Sequence, residues 1–304
     1  EAGVDLDLHF FTSLITSAAK SSNLAEAEHW LETACQRGLL PDVVAFGALV
    51  DAAAKASDLP AAERCYQQAL QAGVRPNTLI FNSCIDAAAK KGNLSAAEFW
   101  YAACQTAGAR PDVITFTNMI RASRGDTSSA ERWFGECAQA RLQPDLVMYT
   151  TLMQGAAAGG EVAAAERWLE HASSAGIRPN VFMFSTLIAC AARDSNLPLA
   201  EAWMRRQLEA AVRPNAVTFT NLIQAAGRAH QPSAAETWFY EMARCSQDKS
   251  SAIDKTALFA LCHAVGRERV AELCSEAGVD DGAILGRASG VPHRARDDAR
   301  RERS

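Results

Sequence analysis

Two recurring slots in this chain carry side chains suited to recognising a polar partner. The first holds a small or polar residue: Thr12, Gly47, Asn82, Thr117, Thr150, Ser185 and Thr220. The second follows a proline and holds only Asp or Asn: Asp42, Asn77, Asp112, Asp145, Asn180 and Asn215, with Asp7 ahead of the first repeat. The chemistry on offer is hydrogen bonding. A carboxylate only accepts, whereas an amide can also donate. The second slot has a structural use as well, because Asp and Asn are near-equivalent as helix caps and turn residues.

No constellation for covalent or metal chemistry accompanies these slots. The sequence has no Walker loop, no His-x-Glu with a following Pro-Cys-x-x-Cys, and no Cys-x-x-Cys pair. Its cysteines, Cys35, Cys65, Cys84, Cys104, Cys137, Cys190, Cys245, Cys262 and Cys274, are scattered, and several fall in an apolar helical pattern. They read as small hydrophobes in a reducing compartment. The histidines are equally dispersed, so no zinc site is expected. Gly159-Gly160 reads as an ordinary turn between helices. The chain is read as a non-enzyme with no cofactor, no metal and no small-molecule substrate.

Composition sets further bounds. A chain of 304 residues is long enough for two ordinary domains, and 49% hydrophobic content supports a folded protein. A formal charge of -5 disfavours a nucleic-acid partner globally, so the distribution of charge decides. No run of apolar residues is long enough for a membrane span. The chain begins Glu1-Ala2-Gly3-Val4 and shows no signal or transit segment.

The elements that position the slots follow from two registers. Trp30, Trp100, Trp133, Trp168, Trp203 and Trp238 are separated by 70, 33, 35, 35 and 35 residues, with Cys65 in the skipped place. Pro41, Pro76, Pro111, Pro144, Pro179 and Pro214 are spaced 35, 35, 33, 35 and 35. Such a period means one supersecondary unit stacked on copies of itself. In one copy, Val43 to Lys55 reads as a first helix, with Phe46, Leu49, Val50 and Ala53 on one stripe. After a break at Ala56-Ser57-Asp58, Pro60 to Leu70 reads as a second helix, stopped by Gly73 and Pro76.

Every copy repeats this hairpin. Phe11, Phe46, Phe81, Phe116, Tyr149, Phe184 and Phe219 fill an aromatic slot, followed by an apolar pair such as Leu49-Val50. The second helix carries a fixed glutamate: Glu28, Glu63, Glu98, Glu131, Glu166, Glu201 and Glu236. The array is assigned to residues 1–250, with units 8–42, 43–77, 78–112, 113–145, 146–180, 181–215 and 216–250. The fourth unit is two residues short, which places a deletion in the turn near Arg124-Gly125-Asp126 with both helices kept. Residues 251–280 read as a degenerate capping hairpin, and 281–304 as a disordered charged tail.

Another stripe of each first helix is left free by this pattern. Two residues before the aromatic it carries Val44, Leu79, Ile114, Val147, Phe182 and Val217, with His9 the exception. These apolar residues fit either a stacking role or packing between neighbouring first helices. Near the end of the stripe stand Lys20, Lys55, Lys90, Arg193 and Arg228, with Arg124 close to that place in the short unit and Ala158 in the fifth. A cation at a helix C-terminus suits the macrodipole, and one per repeat also makes a track for phosphates. Acidic residues fall largely on the second helices.

The run Pro111-Asp112-Val113-Ile114-Thr115-Phe116-Thr117-Asn118-Met119-Ile120, repeated over seven units, resembles pentatricopeptide repeats of the pure 35-residue type. Tetratricopeptide repeats are the nearest rival, but they have a shorter period and place their tryptophan in the first helix. The resemblance implies an all-α, right-handed α-solenoid of about seven repeats that binds single-stranded RNA, one base per repeat, with the N-terminal repeat at the RNA 5′ side. It makes the apolar row the base-stacking residues and the two polar slots the base readers. A hydroxyl in the first slot goes with purines and asparagine with pyrimidines. Asp in the second suits the ring N–H of uracil or guanine, and Asn the ring acceptor of adenine or cytosine.

Thr12 with Asp42 then implies G, Asn82 with Asp112 implies U, and Thr117 with Asp145 implies G. Thr150 with Asn180 and Ser185 with Asn215 imply A. Gly47 with Asn77 specifies no base, and Thr220 with Ser250 is unreadable. The expected core is 5′-GNUGAA-3′. Family membership also implies a mitochondrial or chloroplast location, a role in RNA processing, stabilisation or translation, and RNA-processing proteins as further partners. The competing reading is a helical-repeat scaffold for protein–protein interaction. The narrow choice of residues in the polar slots favours the RNA reading.

Overall fold

A computed structural model describes residues 7–21, 23–245 and 255–278. Ser250 and the expected tail at 281–304 lie outside the described residues. Among the described residues the chain forms sixteen helices and no strand. None of them is long and apolar enough to cross a membrane. The chain divides into two compact units, Glu1–Arg178 and Pro179–Ser304.

The first unit holds five hairpins: α1 (Leu8–Lys20) with α2 (Leu24–Gln36), α3 (Val43–Lys55) with α4 (Leu59–Gln71), α5 (Thr78–Lys90) with α6 (Leu94–Thr106), α7 (Val113–Ala122) with α8 (Thr127–Gln139), and α9 (Leu146–Ala158) with α10 (Val162–Ser174). Each odd-numbered helix packs on the next odd-numbered one, so the first helices form a layer. The second unit repeats the plan with α11 (Val181–Arg193) and α12 (Leu197–Glu209), α13 (Ala216–Arg228) and α14 (Pro232–Cys245), and α15 (Lys255–Val265) and α16 (Arg267–Ala277). There α11 packs on α13, and α13 on α15.

Local chemistry sets the helix bounds. Second helices start on Asn23, Asp58, Asn93, Asp126 and Asn196, whose side chains accept from the backbone of the first turn. Glu161 makes no such bond ahead of α10. After α4, Gly73 turns the chain with φ +74, a conformation that Arg141 and Ala211 adopt after α8 and α12 despite their side chains.

The core lies between the two layers of each hairpin and between successive hairpins. The aromatic slot is buried throughout, from Phe11 to Phe219. One row links consecutive repeats. Tyr66 meets Phe81 and Trp100 at 5.7 and 4.8 Å between ring centroids, Tyr101 meets Phe116 and Trp133 at 5.8 and 5.0 Å, and Phe134 meets Tyr149 and Trp168 at 5.7 and 4.9 Å. The ring after one repeat's Trp-register residue therefore seats both marker rings of the next. These are favourable tilted and edge-on geometries.

The fixed glutamates connect repeats on the other side. Glu98 pairs with Arg132, Glu131 with Arg167 at 3.6 Å, and Glu236 with Arg269 at 2.9 Å, while Glu201 accepts from the Trp238 indole at 3.4 Å.

The short fourth unit loses its residues differently from the expected turn deletion. Its first helix, α7, has 10 residues against 13 in α5 and α9. The helix surrenders its last turn, and Ser123 to Gly125 form the reversal before Asp126 caps α8. The neighbouring turn closes in: a Cβ on Gly159 would lie 3.0 Å from the Gly125 carbonyl oxygen. The Gly159-Gly160 turn is therefore also a close packing contact.

Candidate nucleic-acid interface

Each Asp or Asn of the second slot is the N-cap of a first helix. Asp42 Oδ1 accepts from the Val44 and Ala45 amides at 3.1 and 2.9 Å. Asn77, Asp112 and Asp145 accept from Ile80, Thr115 and Met148 at 3.1, 2.9 and 2.8 Å. In the second unit, Asn180 and Asn215 accept from Met183 and Thr218, both at 3.0 Å. Every cap uses Oδ1, the atom that Asp and Asn share. The remaining atom makes no hydrogen bond to a described residue. In Asp it is an acceptor and in Asn a donor. Capping and the chemical difference between the two residue types thus reside on separate atoms.

The first slot sits in the next turn of the same helices. Asn82, Thr117, Ser185 and Thr220 are buried, and Thr12 and Thr150 are half-buried. Four hydroxyls donate back into their own helices: Thr117 to Val113, Thr150 to Leu146, Ser185 to Val181 and Thr220 to Ala216, at 2.7–2.8 Å. Those of Thr117, Thr150 and Thr220 accept no hydrogen bond from a described residue. The Thr12 hydroxyl is buried and has no partner. Gly47 offers no side chain, and a Cβ there would meet Ile80 and Leu79 at 3.8 and 3.9 Å.

Two slots of successive repeats join directly in the first unit. The Asn82 amide donates to Asp112 Oδ1 at 3.0 Å. Thr115 sits against both, with its hydroxyl 2.6 Å from Asn82 Oδ1 and 3.0 Å from Asp112 Oδ1. In the second unit Ser185 reaches Asn215 through Thr218, at 3.2 and 3.1 Å. Thr150 belongs to the first unit and Asn180 to the second.

Thr115 and Thr218 are contributors that the pattern of readers does not single out. So are Asn118 and Asn221, whose amides donate to the carbonyls of Asn82 and Ser185 at 3.1 and 3.2 Å. The signal was present: Thr-Phe-Thr-Asn occurs at 115–118 and again at 218–221.

The apolar row lies at the surface. Val44, Leu79, Ile114 and Val147 of the first unit, and Phe182 and Val217 of the second, are each 55–60% exposed. A residue two before the aromatic and one just after it are three apart, so they share a helical face.

The cations Lys20, Lys55, Lys90, Arg124, Arg193 and Arg228 are exposed as residues. Some also have structural partners. Lys90 donates to the Ala54 carbonyl at 2.8 Å and Arg228 to that of Ala192 at 3.1 Å, each clasping the end of the preceding first helix. Carboxylates of first helices stand beside two of them: Asp51 is 2.7 Å from Lys55, and Asp86 is 2.8 Å from Lys90. Arg193 contacts the Cys190 sulfur at 3.1 Å.

The arrangement matches known proteins in sequence and fold. The model of the pentatricopeptide repeat domain matches residues 30–91, 101–161, 132–193 and 167–229, and that of the PPR repeat matches 217–246. A search of curated proteins found no match. Among solved structures, the pentatricopeptide repeat protein PPR10 in complex with an 18-nt psaJ RNA element shares 19% identity at a TM-score of 0.57, over 91% of this chain and 46% of that one. PPR10 from maize gives 19% identity and 0.57 over 90% and 44%. The chain spans less than half the length of these proteins. With family models covering most of the repeats, the chain belongs to the pentatricopeptide repeat family.

Proposed function

We propose that this protein binds single-stranded RNA sequence-selectively, one base per repeat, with 5′-GNUGAA-3′ as the core of its target. The observation that carries the reading is the exposed apolar row, Val44, Leu79, Ile114, Val147, Phe182 and Val217. Such side chains at one place per repeat suit the faces of successive bases. Beside each, a cap atom that differs between Asp and Asn supplies a choice of acceptor or donor for a base edge. The PPR10 complex with an RNA element supports the same class of occupant.

The exposed cations serve the phosphates. Lys90 and Arg228 hold helix-end carbonyls with one donor each and have others to offer. Lys55 and Lys90 share their charge with Asp51 and Asp86, which weakens their own part of the attraction. We place the activity in a mitochondrion or chloroplast, in RNA processing, stabilisation or translation, with no chemical step of the protein's own.

The test is a titration of the protein with labelled GNUGAA-containing RNA, a scrambled RNA and single-stranded DNA at two salt concentrations. Preference for the predicted RNA, weakened by salt, supports the reading. Equal binding of both RNAs removes the base assignments and leaves a phosphate track. No RNA binding by a folded sample overturns the reading in favour of a protein scaffold.

A further inference from the structure

The helix α15 departs from the repeat. It lacks the proline and the paired tryptophan, yet it packs on α13 as a first helix does. Leu258 and Leu261 are buried with the spacing of Phe219 and Leu222 in α13. By that order Phe259 takes the place that Thr220 holds in α13. Where each full repeat has a small or polar residue, this helix presents a phenylalanine that is 61% exposed.

The surroundings of Phe259 fit a nucleotide. His263 lies one turn on, its ring 4.6 Å from that of Phe259 at 73°. The two rings, with Gln224, Gly227 and Arg228 of α13, line an open pocket of about 400 Å³. Arg228 is the cation of the seventh repeat, and its second guanidinium nitrogen is not engaged by the Ala192 carbonyl. The helix α15 carries Lys255 and His263, with Asp254 directly ahead of it in sequence. An exposed aromatic face beside an arginine suits a base attached to a phosphate better than it suits an apolar peptide.

We infer that Phe259 is a stacking platform for the nucleobase immediately 3′ of the six-base core, with Arg228 facing its phosphate and the Gln224 amide its edge. This inference rests on the RNA-binding reading. Among the described residues the Thr220 hydroxyl bonds only within its own helix, and Asp254, the sequence counterpart of Asn215, lies outside them. A platform there adds affinity without selecting a base, because every base has a π face. The α15–α16 hairpin then does more than cover an apolar surface of α13: it adds one position to the binding track.

The experiment uses the full chain and two labelled heptamers, 5′-GCUGAAA-3′ and the same RNA with an abasic seventh nucleotide. The wild-type protein should bind the complete heptamer about tenfold more tightly, in line with stacking of one base on an aromatic ring. Phe259→Ala should abolish that difference and leave the affinity for the abasic RNA unchanged, and Phe259→Trp should keep the difference. Circular dichroism and thermal melting should match the wild type, since the ring is largely in solvent.

Three outcomes overturn the platform alone: a wild type that does not distinguish the heptamers, a Phe259→Ala protein that still does, or equal losses on both RNAs. If the wild type binds neither heptamer, the RNA-binding reading falls and the platform with it.

Discussion

The side-chain amide of Asn82 donates to the Asp112 carboxylate at 3.0 Å, joining residues 30 apart in sequence. Asn82 lies on α5 and Asp112 caps α7, so a single polar site is assembled from consecutive repeats. The Thr115 hydroxyl contacts both partners. Neither repeat alone contains the site, so under the proposed reading base recognition depends on the stacking that makes the fold.

Asp112→Asn separates capping from reading. The Oδ1 cap survives, so stability in chemical denaturation should stay within about 0.5 kcal/mol of wild type. The free atom changes from acceptor to donor, so preference at the third nucleotide should move from U to C by roughly tenfold, the worth of one well-placed hydrogen bond. Asp112→Ala should lose about 1 kcal/mol and the preference together. Retention of U by Asp112→Asn in a titration would remove Asp112 from the readers.

Under the proposed reading Gly47 leaves the second nucleotide unspecified, and a Cβ has room there. A Cβ there makes only ordinary contacts with Ile80 and Leu79. Gly47→Asn should fold, gain a few tenths of a kcal/mol from the better helix former, and favour C opposite Asn77. Competition among RNAs varied at that one position tests the gain. A variant as indifferent as the parent would show that the slot does not read.

Phe134 joins the fourth and fifth repeats through Tyr149, Trp168 and His171. Phe134→Ala should cost about 2–3 kcal/mol, less than a fully buried ring because Phe134 is partly exposed. Because a repeat depends mainly on its neighbours, the loss should appear as faster amide exchange around α8, α9 and α10, with α1 and α2 retaining their protection. Uniform loss across the chain would contradict this local dependence.

Hydrogen bonding by Arg269 holds the Glu236 carboxyl below its ordinary pKa despite partial desolvation. A carboxylate depressed in the folded state adds stability above its unfolded pKa, and that stability is lost as pH falls through the folded value. The α14–α16 clasp should therefore weaken as pH drops through and below the normal glutamate range. Exchange protection of α16 measured at neutral and acidic pH should fall for wild type and change less for Glu236→Gln, whose side chain does not titrate. Equal acid sensitivity of the two would assign the effect elsewhere.

The hairpins were legible because a single set of marks repeats: α3 runs from Val43 to Lys55, the range that its apolar stripe and flanking turn define. In sequence Asp42 and its counterparts suit a cap, and the resemblance adds a reader role; the structure shows the cap. One atom caps, and another is left over. What periodicity could not convey was contact between repeats. The slot that holds Tyr66, Tyr101, Phe134 and Phe239 holds Leu31, Leu169 and Met204 in the other units, so only its apolar character recurs throughout. The loss of the last turn of α7 was equally hidden, because a sequence deletion can be absorbed by either a helix or the turn that follows it. Phe259 escaped notice because α15 falls out of the register that revealed the other slots.

The division of labour within each cap has an evolutionary side. Aspartate and asparagine codons differ by one nucleotide, and the Oδ1 cap accepts both products. Under the proposed reading, a single point mutation can rewrite one letter of the target while the helix beneath it starts as before. A lineage could thus follow a drifting transcript, or acquire a new one, through intermediates that all fold.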